Sequence, residues 1–181
     1  MKKFSVKTIV AIGIGAALFF VLGRFVAIPS PVPNTSISVQ YGLLAFLSVV
    51  YGPVAGALVG FIGHTLIDFS SGGVWWSWVI ASAVFGLLMG LAAKALKMEE
   101  GELGKKGLIK FNIAQLVCHL ICWLAVAPVL DVYMMGEPWD KLIAQGLMAA
   151  VANAVTTAIV GSLLCVAYAA TKTKAGSLTK E

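Results

Sequence analysis

The chain has 181 residues, 60% of them hydrophobic and only 12% charged, with a formal net charge of +5. Soluble domains carry about 25% charged residues, so composition excludes a water-soluble globular protein. Several apolar stretches approach the roughly 20 residues that cross about 30 Å of hydrocarbon, which points to an integral membrane protein. Lipid cannot satisfy free backbone groups, and no barrel-like alternation is visible, so the spans are expected to be helices. The expected fold class is an all-α membrane protein, with one six-helix transmembrane domain over residues 1–181.

In chain order, a first helix is expected over about 7–28. Its N-terminal run, MKKFSVKTIVAIGIGAALFFVLG, has the basic start of a signal peptide, but no A-x-A site precedes a soluble domain, so it reads as a retained span. Prolines 29, 31 and 33 then remove backbone donors and favour an extended path, among Ser30, Asn34, Thr35, Ser36, Ser38 and Gln40. A short second helix covers about 39–51. Gly52-Pro53 breaks the chain, and Pro53 suits the first turn of a third helix over about 53–69. The loop DFSSGG leads to a fourth helix over about 74–96. A fifth runs over about 108–130 and a sixth over about 139–170.

Lysine placement predicts the topology. Lys2, Lys3 and Lys7 precede the first helix, Lys94, Lys97, Lys105, Lys106 and Lys110 flank the loop between the fourth and fifth, and Lys172, Lys174 and Lys180 follow the sixth. With six spans these all fall on one side, leaving only Arg24 and Lys141 elsewhere, and the positive-inside rule puts both termini in the cytoplasm. Asp68, Asp131, Glu137 and Asp140 then face outward with three loops: the proline loop, the one leading to Trp75, Trp76 and Trp78, and the one carrying Tyr133 and Trp139. Each tryptophan alone fits an interfacial aromatic belt. The three loops together suit a binding cup, with the proline loop as its lid.

Four ionisable residues interrupt the apolar spans, where such groups normally mark function. Arg24 either snorkels to headgroups or reaches the cup. His64 and Asp68, four apart on one helix face, either pair or line the cup, since an unpaired polar group in lipid is costly. His119, like Asn153, fits an interhelical hydrogen bond. Small residues recur at helical spacing: Ala11 with Gly15 and Gly13 with Ala17 on the first helix, Gly52, Gly56 and Gly60 with Gly63 nearby on the third, and Gly86 with Gly90 on the fourth. Such stripes allow close helix approach. On the third and fourth helices they suit packing within the protein, whereas on the first they suit an outer face that docks a partner.

The chain has no G-x-x-x-x-G-K-[ST], no G-x-S-x-G and no H-E-x-x-H. In CHLIC (118–122), Cys118 and Cys122 share a helix face but His119 points about 100° away, so apolar filler is the expected role. An odd cysteine count, with Cys165, inside apolar segments argues against a disulfide framework. A small intramembrane enzyme would need converging nucleophile, base and metal groups. Only His64, Asp68 and scattered serines are available.

The basic start, AIGIGAALFFVLGR, the IPSPVP loop, the YGPVAGALVGFIGHTLID helix and the tryptophan-rich turn together resemble the substrate-binding S components of energy-coupling factor (ECF) transporters. The resemblance spans nearly the whole chain and is closest to the CbrT-type cobalamin group. It implies a non-catalytic, multi-pass subunit of a prokaryotic plasma membrane that binds a vitamin, here cobalamin or cobinamide, from outside. It further implies an ECF T-component scaffold, two ATPase subunits that use the ATP, and delivery by toppling in the lipid bilayer. No nucleic acid, metal or bound cofactor is expected. The candidate binding residues read from the outer loops and the polar span positions are Arg24, Pro31, Asn34, Thr35, Ser36, His64, Asp68, Trp75, Trp76, Trp78, Tyr133 and Trp139, and the resemblance implies Ala11, Gly13, Gly15 and Ala17 as the scaffold face and the loop over 29–39 as the gate. Another vitamin or precursor on the same fold is the alternative ligand.

Overall fold

A computed structural model describes residues 5–93, 96 and 103–172. Six helices follow in order: α1 (Val6–Phe25), α2 (Gln40–Tyr51), α3 (Pro53–Phe69), α4 (Trp76–Ala92), α5 (Lys105–Met135) and α6 (Trp139–Ala170). The all-α class holds with one addition. The proline loop is a small hairpin, β1 (Ile28–Pro29) paired antiparallel with β2 (Ser36–Ile37). It therefore doubles back instead of running extended. Asn34 takes a left-handed φ of 60°, Ser30 N donates to the Thr35 carbonyl, and the Ser30 and Thr35 hydroxyls bond each other.

Local chemistry sets the boundaries. Ser5 caps α1 by accepting from Thr8 N at 3.1 Å. Gly52 sits at φ 91°, a turn that a side chain would strain, and Pro53 opens α3. Both long C-terminal helices contain one π-helical turn, Cys122–Val126 in α5 and Thr157–Gly161 in α6. Pro128 explains the first: it has no N–H and its ring crowds the preceding turn, which the wider π-turn relieves. α5 thereby continues to Met135. Asp131, expected in an outer loop, is instead a helical residue only 1% exposed.

By length and composition, α1, α5 and α6 can cross a membrane, while α2, α3 and α4 are shorter apolar helices. The 12 residues of α2 rise only about 18 Å, short of the hydrocarbon thickness. The outward face of α1 is apolar, with Ile9, Ile14, Leu18 and Val21 exposed as a lipid-facing surface requires.

The small-residue stripes of α3 and α4 pack against each other. A Cβ on Gly86 would run into the Gly56 carbonyl, one on Gly60 into the Ser82 carbonyl, and one on Gly90 into Pro53. Gly146 likewise lets α6 meet the Trp123 carbonyl beside the π-turn of α5. At the centre, the Tyr41 ring meets Phe19, Phe85, His119 and Trp123 edge-on, with centroids 5.3–5.7 Å apart. His119 bonds Thr157 Oγ1 at 3.0 Å and accepts from Trp123 Nε1, the interhelical role its position suggested.

Candidate functional site: a two-chambered mouth at one end of the bundle

The C-terminal ends of α1, α3 and α5 and the N-terminal ends of α2, α4 and α6 converge on one end of the bundle. Two cavities open there. The outer one, about 580 Å³, is lined by residues including Asn34, His64, Asp68, Trp75, Trp78 and Lys141. The inner one, about 170 Å³, shares Asn34, His64, Asp68 and Trp78 and adds Ser38, Gln40, Tyr41 and Asn153. Apart from Lys141, the described lysines, Lys7, Lys105, Lys106, Lys110 and Lys172, lie at the opposite helix ends. Lys2, Lys3, Lys94, Lys97, Lys174 and Lys180, which also entered the topology argument, lie outside the described residues.

The walls are tied together by hydrogen bonds between distant elements. Asp131 of α5 is the main knot: its carboxylate accepts from Trp75 Nε1, from the Ser77 hydroxyl and, at 2.9 Å, from Trp78 Nε1. Three donors from α4 and its approach satisfy a buried carboxylate that would otherwise be costly. Both indoles are thus oriented from the side facing away from solvent. Trp78 also packs on Trp123, centroids 5.0 Å apart.

Asp68 closes the loop before α4, accepting from Trp75 N at 2.9 Å, and sits 3.5 Å from His64 Nε2. His64 Nδ1 meets Ser82 Oγ at 2.6 Å, and Ser82 meets the Tyr41 hydroxyl at 2.7 Å. The two alternatives for His64 and Asp68 are therefore both realised: they pair, and they line the cavities. Lys141 bonds Glu137 at 2.7 Å and lies 5.7 Å from the Trp75 ring centroid. The hairpin is pinned over the mouth by α6, where Gln145 Nε2 donates to the Pro33 carbonyl at 2.9 Å, and at its foot Ser38 donates to the Leu22 carbonyl.

Of the residues expected to form the cup, Asn34, Thr35, Ser36, His64, Asp68, Trp75 and Trp78 line one or both cavities. The rest do not. Arg24 is exposed beside the Phe25 ring, its side chain leaving the bundle near the end of α1. Pro31 is exposed on the hairpin tip. Trp76 stacks on Phe61 on the outer surface, because consecutive helical positions diverge by about 100° and Trp75 and Trp78 take the inner side. Tyr133 and Trp139 are 84% and 51% exposed, belt positions at the rim.

Sequence reasoning missed the knot at Asp131, the latch at Gln145 and the cavity-lining positions of Lys141 and of Asn153, which was expected in an interhelical hydrogen bond. An i, i+4 spacing joins Lys141 to Gln145 on one face of α6, a signal that was available. On α1 the two overlapping small-residue pairs separate: Gly15 is buried against Leu47 and Val59, while Gly13 has nothing within 4 Å and Ala17 is exposed.

Comparison with known proteins agrees with this architecture. Curated relatives named UPF0397 proteins are 49% identical in Enterococcus faecalis, over 99% of both chains, and 47% identical in Staphylococcus aureus and in Lactococcus lactis subsp. cremoris, over 100% of both. No solved structure matches. The family model described as ECF-type riboflavin transporter, S component, matches residues 3–170, and the chain belongs to that family of membrane transporter subunits.

Proposed function

We propose that this chain captures a vitamin from outside the cell and presents it to the energy-coupling partners of an ECF-type importer. The observation that carries the reading is the mouth: an indole-walled, polar-floored cavity at the bundle end opposite Lys7, Lys105, Lys106, Lys110 and Lys172, which by the positive-inside rule faces outward, with both termini cytoplasmic. The chain is a binding subunit, and ATP is hydrolysed by two partner ATPases. The exposed Gly13 and Ala17 face of α1 docks the T-component scaffold, and Ala11 and Gly15 serve the inner packing of that helix. The hairpin at 28–37 opens for entry and closes over the ligand, and toppling of the subunit then turns the mouth toward the cytoplasm.

The ligand that fits best is a flat, nitrogen-rich ring system of flavin size. The outer cavity lies within the roughly 300–1,000 Å³ of sites that enclose drug-sized ligands, the Trp75 and Trp78 rings offer flat walls, and the family description names riboflavin. Cobalamin or cobinamide is the second reading, supported by the chain's resemblance to the CbrT-type group; a corrin with its amide arms would need the hairpin to stand open.

Equilibrium dialysis of the purified protein against riboflavin, cobalamin and cobinamide tests the reading. Stoichiometric submicromolar binding of riboflavin without chemical change is expected, together with co-purification of a scaffold and ATPases. Tight corrinoid binding with no flavin binding would transfer the assignment to the second ligand. Turnover of any ligand by the isolated chain, or binding of none, would overturn it.

A further inference from the structure

We propose that the groove between the first half of α1 and the end of α2 seats one acyl chain of an anionic phospholipid, with the lipid phosphate at Lys7 and Tyr51. The groove encloses about 340 Å³. Its walls are the aliphatic side chains of Val10, Ile14, Leu18 and Leu47, and Lys7 and Tyr51 supply its polar groups, both at the bundle end opposite the mouth. The fold creates the groove by a difference of length. The 12 residues of α2 rise about 18 Å and the 20 of α1 about 30 Å, so α2 gives out beside the first turns of α1, where Ala11 and Gly15 present no bulk.

Length, polarity and charge select the occupant. From Lys7 to Leu18 the helix rises about 16 Å, the depth of one leaflet in a hydrocarbon core about 30 Å thick. The surface is apolar along that depth and polar only at its end, the profile of a phospholipid. No acidic residue lines the groove, and among the described residues no carboxylate pairs with Lys7. Its ammonium is the complement of a phosphate, the Tyr51 hydroxyl can donate to a second phosphate oxygen, and a basic group at the end of a span favours anionic lipid. A soluble anion would match Lys7 but leave the apolar length unfilled. Ile14 and Leu18 follow Gly13 and Ala17 by one position each, about 100° round α1, so the groove flanks the face proposed for the scaffold and is distinct from it.

Native mass spectrometry of the delipidated full chain in detergent, titrated with phosphatidylglycerol and separately with zwitterionic phosphatidylcholine, tests the site whether or not a vitamin binds. One phosphatidylglycerol per chain is expected, held about tenfold more tightly than phosphatidylcholine, and it should raise the melting temperature. Lys7→Gln should erase the preference between the two lipids. Ile14→Trp, which fills the groove from a position 57% exposed, should abolish the bound lipid and the thermal shift. Lys106→Gln removes an exposed charge at the same end of the bundle and should change neither. Equal binding of the two lipids by wild type, retention of phosphatidylglycerol by Ile14→Trp, or an equal loss in Lys106→Gln would overturn the site. In the complex purified with its scaffold, a photoreactive benzoylphenylalanine at Val10 should label phosphatidylglycerol; capture of a scaffold peptide in its place would give the groove to the scaffold and overturn the lipid assignment.

Discussion

The seam between α3 and α4 and the mouth at the end of the same two helices are built by opposite means. Along the seam, Gly56, Gly60, Gly86 and Gly90 bring backbone against backbone, with the Ser48 and Leu44 side chains of α2 packed alongside Gly56 and Gly60. At the mouth, His64, Asp68, Trp75 and Trp78 are held by side-chain hydrogen bonds to α5 and to one another. A van der Waals seam in lipid tolerates no added volume. A hydrogen-bonded wall tolerates changes of volume but not the loss of an acceptor. The molecule thus sets a close-packed base beneath a mouth held by directional hydrogen bonds.

The largest expected effect tests the base. Gly86→Val places a side chain on the Gly56 carbonyl, and the cost should reach about 3 kcal/mol or more, the upper range for overpacking. The variant should lose its monodisperse peak in size-exclusion chromatography; a wild-type melting temperature would refute the seam. Next comes the knot. Asp131→Leu strips the acceptor from two indoles and Ser77, at about 1–3 kcal/mol per buried donor. Ligand affinity should fall about a hundredfold with the near-ultraviolet circular dichroism of the tryptophans altered and helix content kept. Unchanged affinity would mean that the indoles do not form the wall.

A smaller contrast separates the two faces of α1. Gly15→Val meets Leu47 Cδ1 at 2.6 Å and Val59 Cγ2 at 3.1 Å, and should destabilise by about 1–2 kcal/mol. Gly13→Val meets nothing and should stay within about 0.5 kcal/mol of wild type, yet reduce co-purification of the scaffold. If Gly13→Val leaves the complex intact, the docking face lies elsewhere. The smallest effect belongs to the latch. Gln145→Leu releases the Pro33 carbonyl, worth about 1 kcal/mol, and should speed ligand dissociation about fivefold in stopped-flow fluorescence while the melting temperature barely moves.

Much of the architecture was legible in the chain. Pro53 and the Gly52 break placed the start of α3, and the glycine stripes announced the seam, because both depend on local backbone chemistry. The hydrophobic pattern was less informative at the end of α5, expected near residue 130, where the helix runs on past a π-turn and Pro128 to Met135. That one extension moved Asp131 from an expected surface loop into the wall of the site. Tryptophan-rich stretches marked the mouth correctly as a region, yet Trp75, Trp76 and Trp78 divide between wall and belt only once the rotation of α4 is fixed.

The sequence by itself determined a lipid-embedded helical bundle with all its lysines but Lys141 expected at one end and polar loops at the other, because burial in hydrocarbon and the cost of moving charge act on composition and order alone. Tertiary structure decided which polar groups meet. Asp131 and Trp75 lie 56 positions apart and Gln145 and Pro33 lie 112 apart, distances over which no local propensity operates.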